Sequence, residues 1–163
     1  MATTTVGVDA AIRALQDRTE ITDVLYRYAS TIDRFDLDGL RGLLADDVWA
    51  QYGNADPVAG GDTLASWIAE AIATVVWQHH LLSVYHVDVD GDHASALVYH
   101  TSHQVFEDDP DTAKLLVGRY HNELRREHDG WKISRLVLEI LWGEEKADAA
   151  GYLALIGGRG PQA

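Results

Sequence analysis

The stretch VGRYHNELRREHDGWKISRLVLEILW, residues 117–142, decides the fold class. It holds most of one β-rich run, 114–128, and all of another, 131–142. They flank HDG at 128–130, a hairpin-type turn signal. Working back toward the N-terminus, EDDPD at 107–111 closes a third run, 94–107, and DGD at 90–92 separates that from a fourth, 80–90. Four runs joined by three short polar turns predict an antiparallel meander.

Upstream of the meander the period changes from two to 3.6. Ile12, Leu15, Ile21, Val24, Leu25, Tyr28 and Ile32 recur at helical steps, which predicts a helix from Asp9 to about Arg34. Asp36 or Asp38 is placed to cap a short helix over Leu37–Leu44, and Val48–Tyr52 reads as a short strand ended by GNADP. Asp62 is the expected N-cap of a third helix running to about Thr74, with Leu64, Ile68 and Ile72 on one side. An Ala/Leu-rich stretch, 144–156, predicts a last helix before the tail GGRGPQA. Helices followed by a meander make an α+β domain, with the helices covering the concave face of a curved antiparallel sheet in a cone. The whole of 1–163 is expected to be one domain with its core over about 9–144. The open end of such a cone is the natural place for a cavity.

Composition excludes several functions. Acidic residues outnumber basic ones 26 to 13, for a formal charge of -13, and the concentrated basic surface of a nucleic-acid binder is missing. There is no cysteine, hence no disulfide or thiolate chemistry. Neither a signal-peptide pattern nor an apolar run of the ~20 residues that span a bilayer is present, so a cytoplasmic protein without membrane contact is expected. Eight histidines invite a metal, but His100 and His103, three apart in a strand, point to opposite faces. His79 and His80 also diverge. No metal and no other cofactor is therefore expected.

Alternation nominates pocket residues. Trp131, Ile133, Arg135 and Val137 share one face, which puts an arginine on an apolar side where it needs a carboxylate or a ligand. His103 shares a face with Leu97, Tyr99 and Val105; Leu116, Tyr120 and Asn122 share another. For each of these, pocket lining and plain structure are equally compatible with the pattern.

From about Leu15 to Glu144 the chain resembles a SnoaL-like domain of the NTF2-like superfamily. The resemblance rests on EITDVLYRYASTIDRFDLDGLRGLLADDV with its helix-end aspartate, on HHLLSVYHVDVDGDHASA, and on the G-R-Y strand with its G-W-x-I hairpin. Among that family's lyases, dehydratases and a dehydrochlorinase use an aspartate–histidine pair. The resemblance places the aspartate at Asp33, the histidine at His80, a catalytic tyrosine at Tyr28, a pocket tyrosine at Tyr52 and a substrate-binding basic residue at Arg135. Plain alternation instead puts His79 with Val87 and Val89; a bulge or a reversal of facing reconciles the two.

These parts imply a cofactor-independent lyase. Asp33 fixes the tautomer of His80, which removes a proton beside an activating group, and Tyr28 donates to a leaving hydroxyl or an enolate oxygen. His103, Tyr52, Arg135, Tyr120 and Asn122 would bind an apolar, cyclic small molecule. Isomerisation or polyketide cyclisation uses the same parts. A non-catalytic ligand-binding protein or oxygenase accessory subunit shares the fold without the chemistry. Resemblance and apolar residues at 140–142 predict a homotrimer, with a dimer as the alternative.

Overall fold

The computed structural model describes residues 3–151, with side chains from residue 7 onward. Helix α1 spans Thr3–Asp33, starting six residues before the predicted Asp9. Its stop is built from the backbone. Phe35 takes a left-handed φ of 57°, its N–H bonds Ile32 O (3.1 Å), and Asp36 N–H bonds Thr31 O (2.8 Å). This Schellman turn satisfies carbonyls the helix end leaves open. It also fixes Asp33 as the last helical residue.

Asp36 then caps α2 (Leu37–Arg41) by accepting the Gly39 N–H at 2.8 Å. The predicted helix to Leu44 is shorter because Leu44 already belongs to strand β1, Leu44–Tyr52. After β2 (Val58–Ala59) comes α3 (Gly61–Ala71), whose N-cap is Gly60 and not Asp62. Asp62 sits in the first turn and accepts from Arg41 Nε at 2.6 Å. The meander follows as β3 (Val75–Asp90), β4 (His93–Phe106), β5 (Asp109–Glu127) and β6 (Gly130–Lys146). Because β6 runs on to Lys146, the helix expected from 144 opens only at Ala149. Its remainder and GGRGPQA lie outside the described residues.

The six strands form one sheet in the order β2-β1-β6-β5-β4-β3. It is mixed, not wholly antiparallel as expected: β1 runs parallel to β6, and every other pair is antiparallel. The whole meander intervenes between β1 and β6, ample for a parallel return. One sheet face, here the inner face, meets the helices. Ile21, Leu25, Tyr28 and Ile32 of α1 and Leu64 and Ile68 of α3 close over Val98, Tyr120, Leu136 and Leu138. Each large apolar side chain fully buried there contributes roughly 1.5–3 kcal/mol.

Two of the register breaks decide which residues near the end of α1 and along β6 face inward. Tyr85 is an extra residue in β3 between the pairs Val84↔Val98 and His86↔Leu97. Ser134 is extra in β6 between Ile133↔Leu124 and Arg135↔Glu123. Each break reverses the facing of the residues beyond it, and a further one at Leu141, between Gly118↔Ile140 and Val117↔Trp142, turns Trp142 back to the outer face.

Candidate active site at the end of the first helix

Gln78 fastens β3 to the end of α1. Its Nε2 donates to Ile32 O at 2.7 Å, and its own Oε1 accepts from Gln104 Nε2 at 3.1 Å. Two residues on, His80 faces inward and meets Asp33. The ring Nδ1 lies 2.6 Å from Asp33 Oδ1, and the His80 backbone N–H donates to Asp33 Oδ2 at 3.0 Å. Both carboxylate oxygens thus serve one residue. With Asp33 ionised, Nδ1 carries the proton and Nε2 presents a lone pair. The side chains of His80 and Asp33 keep 10% and 22% exposure, so the pair is in contact with solvent.

The neighbours are aromatic. His80 stacks on His100 with centroids 5.7 Å apart, His100 lies 4.9 Å from Tyr120, and Tyr120 meets Tyr28 edge-on at 6.0 Å. Tyr28 and Tyr52 share a 2.5 Å hydroxyl–hydroxyl bond, and Tyr52 stacks on Trp67 of α3 at 4.9 Å. Tyr28 is buried whereas Tyr52 is half-buried, so Tyr52 is the outer member of that pair. Two hydroxyls sharing one bond leave one O–H free to donate. Burial, followed by the neighbouring Tyr52, holds the Tyr28 hydroxyl well above the ordinary tyrosine range. Burial and then Tyr120 raise Tyr52; burial, then Tyr28 and Asp33, raise Tyr120. All three remain protonated donors.

His100 differs from His80. Burial, with His80 as the second cause, lowers it to about 4, so it is neutral at physiological pH. Its Nδ1 is buried without a hydrogen-bond partner.

The structure links Asp33 and His80 to Tyr120, Tyr28 and Tyr52 through one run of side-chain contacts by way of His100, and Asn122 lies two residues beyond Tyr120 along the same inner face, beside Ala96 and Leu136 in the register. The Tyr85 bulge explains how His80 and Val87 both face inward while His79 does not. Two expectations are corrected. His103 pairs with His79 across the strands, rings 6.4 Å apart, on the outer face. The alternation that made an inward His103 conceivable instead turns Val98, His100 and Ser102 inward. Arg135 is also outside, because Ser134 breaks the alternation begun by Trp131 and Ile133. Its guanidinium lies 4.2 Å from the Trp49 ring and 3.6 Å from Glu123. His100, Gln78 and Trp67 were not singled out from sequence as site residues. The signal for His100 was its place two residues from the apolar Val98. Among the described residues no three His, Asp or Glu side chains converge as metal ligands.

A family model for the SnoaL-like domain matches residues 13–137. The chain belongs to the SnoaL-like family. Over 128 residues this SnoaL-like domain is 28% identical to uncharacterized proteins of Mycobacterium tuberculosis and Mycobacterium bovis, covering 78% of this chain and 87% of each of theirs. A solved structure from Kribbella flavida superposes with a TM-score of 0.75 at 25% identity, covering 80% of this SnoaL-like domain and 95% of that chain. A hexachlorocyclohexane dehydrochlorinase superposes with a TM-score of 0.76 over 84% of this chain and 93% of its own; at 17% identity that is a likeness of fold. NTF2-like folds with lyase members are thus among its structural neighbours.

Proposed function

We propose that this SnoaL-like domain is a cofactor-independent lyase that removes a proton beside a carbonyl in a small cyclic substrate and expels a β-substituent. The observation that carries the reading is the double engagement of Asp33 by His80, through ring Nδ1 and backbone N–H. Enclosing a ligand needs no such pair; presenting Nε2 as an oriented base does.

Nε2 takes the proton, and the imidazolium formed is stabilised by the Asp33 carboxylate. The electron pair of the broken C–H bond moves to the carbonyl oxygen. The free hydroxyl hydrogen of the Tyr28–Tyr52 pair donates to that oxygen. Re-formation of the carbonyl drives out the β-substituent; a departing hydroxide takes the proton from His80 and leaves as water. If the proton returns to a different carbon, the same first step gives isomerisation.

Proton abstraction is common to both outcomes and is the step to assay. The protein should accelerate deuterium exchange at the carbon beside the carbonyl in cyclic ketones and β-hydroxyketones, followed by proton NMR. Asp33→Asn and His80→Gln should each lower the rate by about 10²–10⁴-fold, the usual worth of a positioned base. Tyr52→Phe should cost about 10²-fold while leaving exchange detectable. Equal rates in the wild type and His80→Gln would sink the reading and favour a binding or accessory role.

A further inference from the structure

The inner face around Asp33 carries a negative charge with no matching cation among the described residues. Of the 13 lysines and arginines, Arg159 lies outside those residues. The described ones are either exposed or held by partners elsewhere. Arg41 is held by Asp46 and Asp62, Arg119 by Glu139, Arg125 by Asp47 and Glu127, Arg126 by Asp17 and Asp92, and Lys132 by Asp129. Arg34, next to Asp33 in the chain, reaches Asp36 at 3.9 Å. Arg135, the one basic side chain that alternation had put on an apolar side, is turned to the outer face by Ser134.

Other terms have the same sign. Asp33 is the last residue of α1, where the open carbonyls form the negative end of the helix dipole. The aromatic groups near it are neutral: His100 is held unprotonated and the tyrosines protonated. The formal charge of -13 adds a long-range field that repels anions.

We propose that this site takes uncharged cyclic substrates and discriminates against carboxylates, phosphates and other anions. The inference rests on the lyase reading and narrows it. Deprotonating a neutral substrate makes one enolate and one imidazolium, and the charge of the site is unchanged. An anionic substrate would bring a second negative charge against Asp33 with only neutral groups, the tyrosine hydroxyls and the Asn122 amide, to meet it. Such like-charge pairing in a partly desolvated site weakens binding by about tenfold or more.

The test compares methyl 2-naphthoate and 1-tetralone with the 2-naphthoate anion at neutral pH. Calorimetry gives affinity, and the NMR signals of the His80 ring report where the probe sits. The neutral probes should bind and shift His80, and the anion should bind at least about tenfold more weakly than its ester. Leu82→Lys, which adds a cation to a half-buried position on the inner face, should narrow that gap or reverse it. The wild-type comparison stands alone if this variant fails to fold. Equal affinity for ester and anion, with His80 shifted by both, overturns charge selection and leaves the lyase reading intact. Neutral probes that bind without moving His80 overturn both, since the ligand site is then elsewhere. Failure of both neutral probes to bind also overturns the proposal.

Discussion

A carboxylate at the last residue of a helix sits against the negative end of the dipole, so Asp33 is placed where a helix least favours it. The two hydrogen bonds from His80 offset that cost. His80 is in turn held in place by that charged partner. His100, stacked on that ring, has the opposite design: it is buried and lowered to about 4. Its folded pKa lies below its unfolded value of 6.5, so the unfolded chain binds the extra proton. The stability that a neutral His100 contributes is therefore present above pH 6.5 and is lost as pH falls toward 4. The full loss is at most about 3 kcal/mol. Urea unfolding of the wild type and His100→Phe should show it. The wild type should lose stability faster over that interval, and parallel curves would show that His100 is not held neutral by the fold.

At the scale of elements, the crossing of β4, β5 and β6 beside His100 depends on Gly118. A Cβ there would stand 2.7 Å from Glu139 O and 3.2 Å from His100 Nδ1. A backbone carbonyl in a ladder has little room to yield. Gly118→Ala should therefore destabilise by about 1–3 kcal/mol, measured by thermal unfolding, and should disturb the stacking of His100 on His80. A variant as stable as the wild type, with unchanged His80 ring signals, would show that the sheet relaxes there. Most of this layer was legible in the sequence. Turns at DGD, EDDPD and HDG marked the hairpins, and the resemblance named Asp33 and His80 as a pair. What alternation could not supply was the facing of residues beyond a bulge. Tyr85 and Ser134 carry no composition signal for one, since neither is Gly, and each bulge is fixed by pairing with a strand distant in the chain. Arg135 was lost to that blindness. The parallel β1–β6 pairing was likewise invisible, because a short strand far upstream says nothing of its eventual neighbour.

For the whole molecule, the outer sheet face poses the remaining question. Leu81, Thr101, Val117 and Trp142 are successive cross-strand partners and so form one row over β3, β4, β5 and β6. Leu81 and Trp142 are 64% and 59% exposed, and nearby Tyr85, stacked on Tyr99, is 53% exposed. A ridge of this size on an otherwise strongly charged chain is the kind of surface that copies of a protein bury against one another. We expect a homo-oligomer through this face, a trimer first and a dimer second. The charge of -13 on each copy opposes association, so added salt should strengthen it by screening. Sedimentation equilibrium should give a mass that is a multiple of 18.0 kDa, rising with salt toward its plateau. Trp142→Lys and Leu81→Lys each put a cation into the contact without touching the inner face, so they should yield the single-chain mass while leaving the His80 ring signals in place. A single-chain mass for the wild type at every salt concentration would mean the row serves no self-association, and the site at Asp33 would then be complete within one copy.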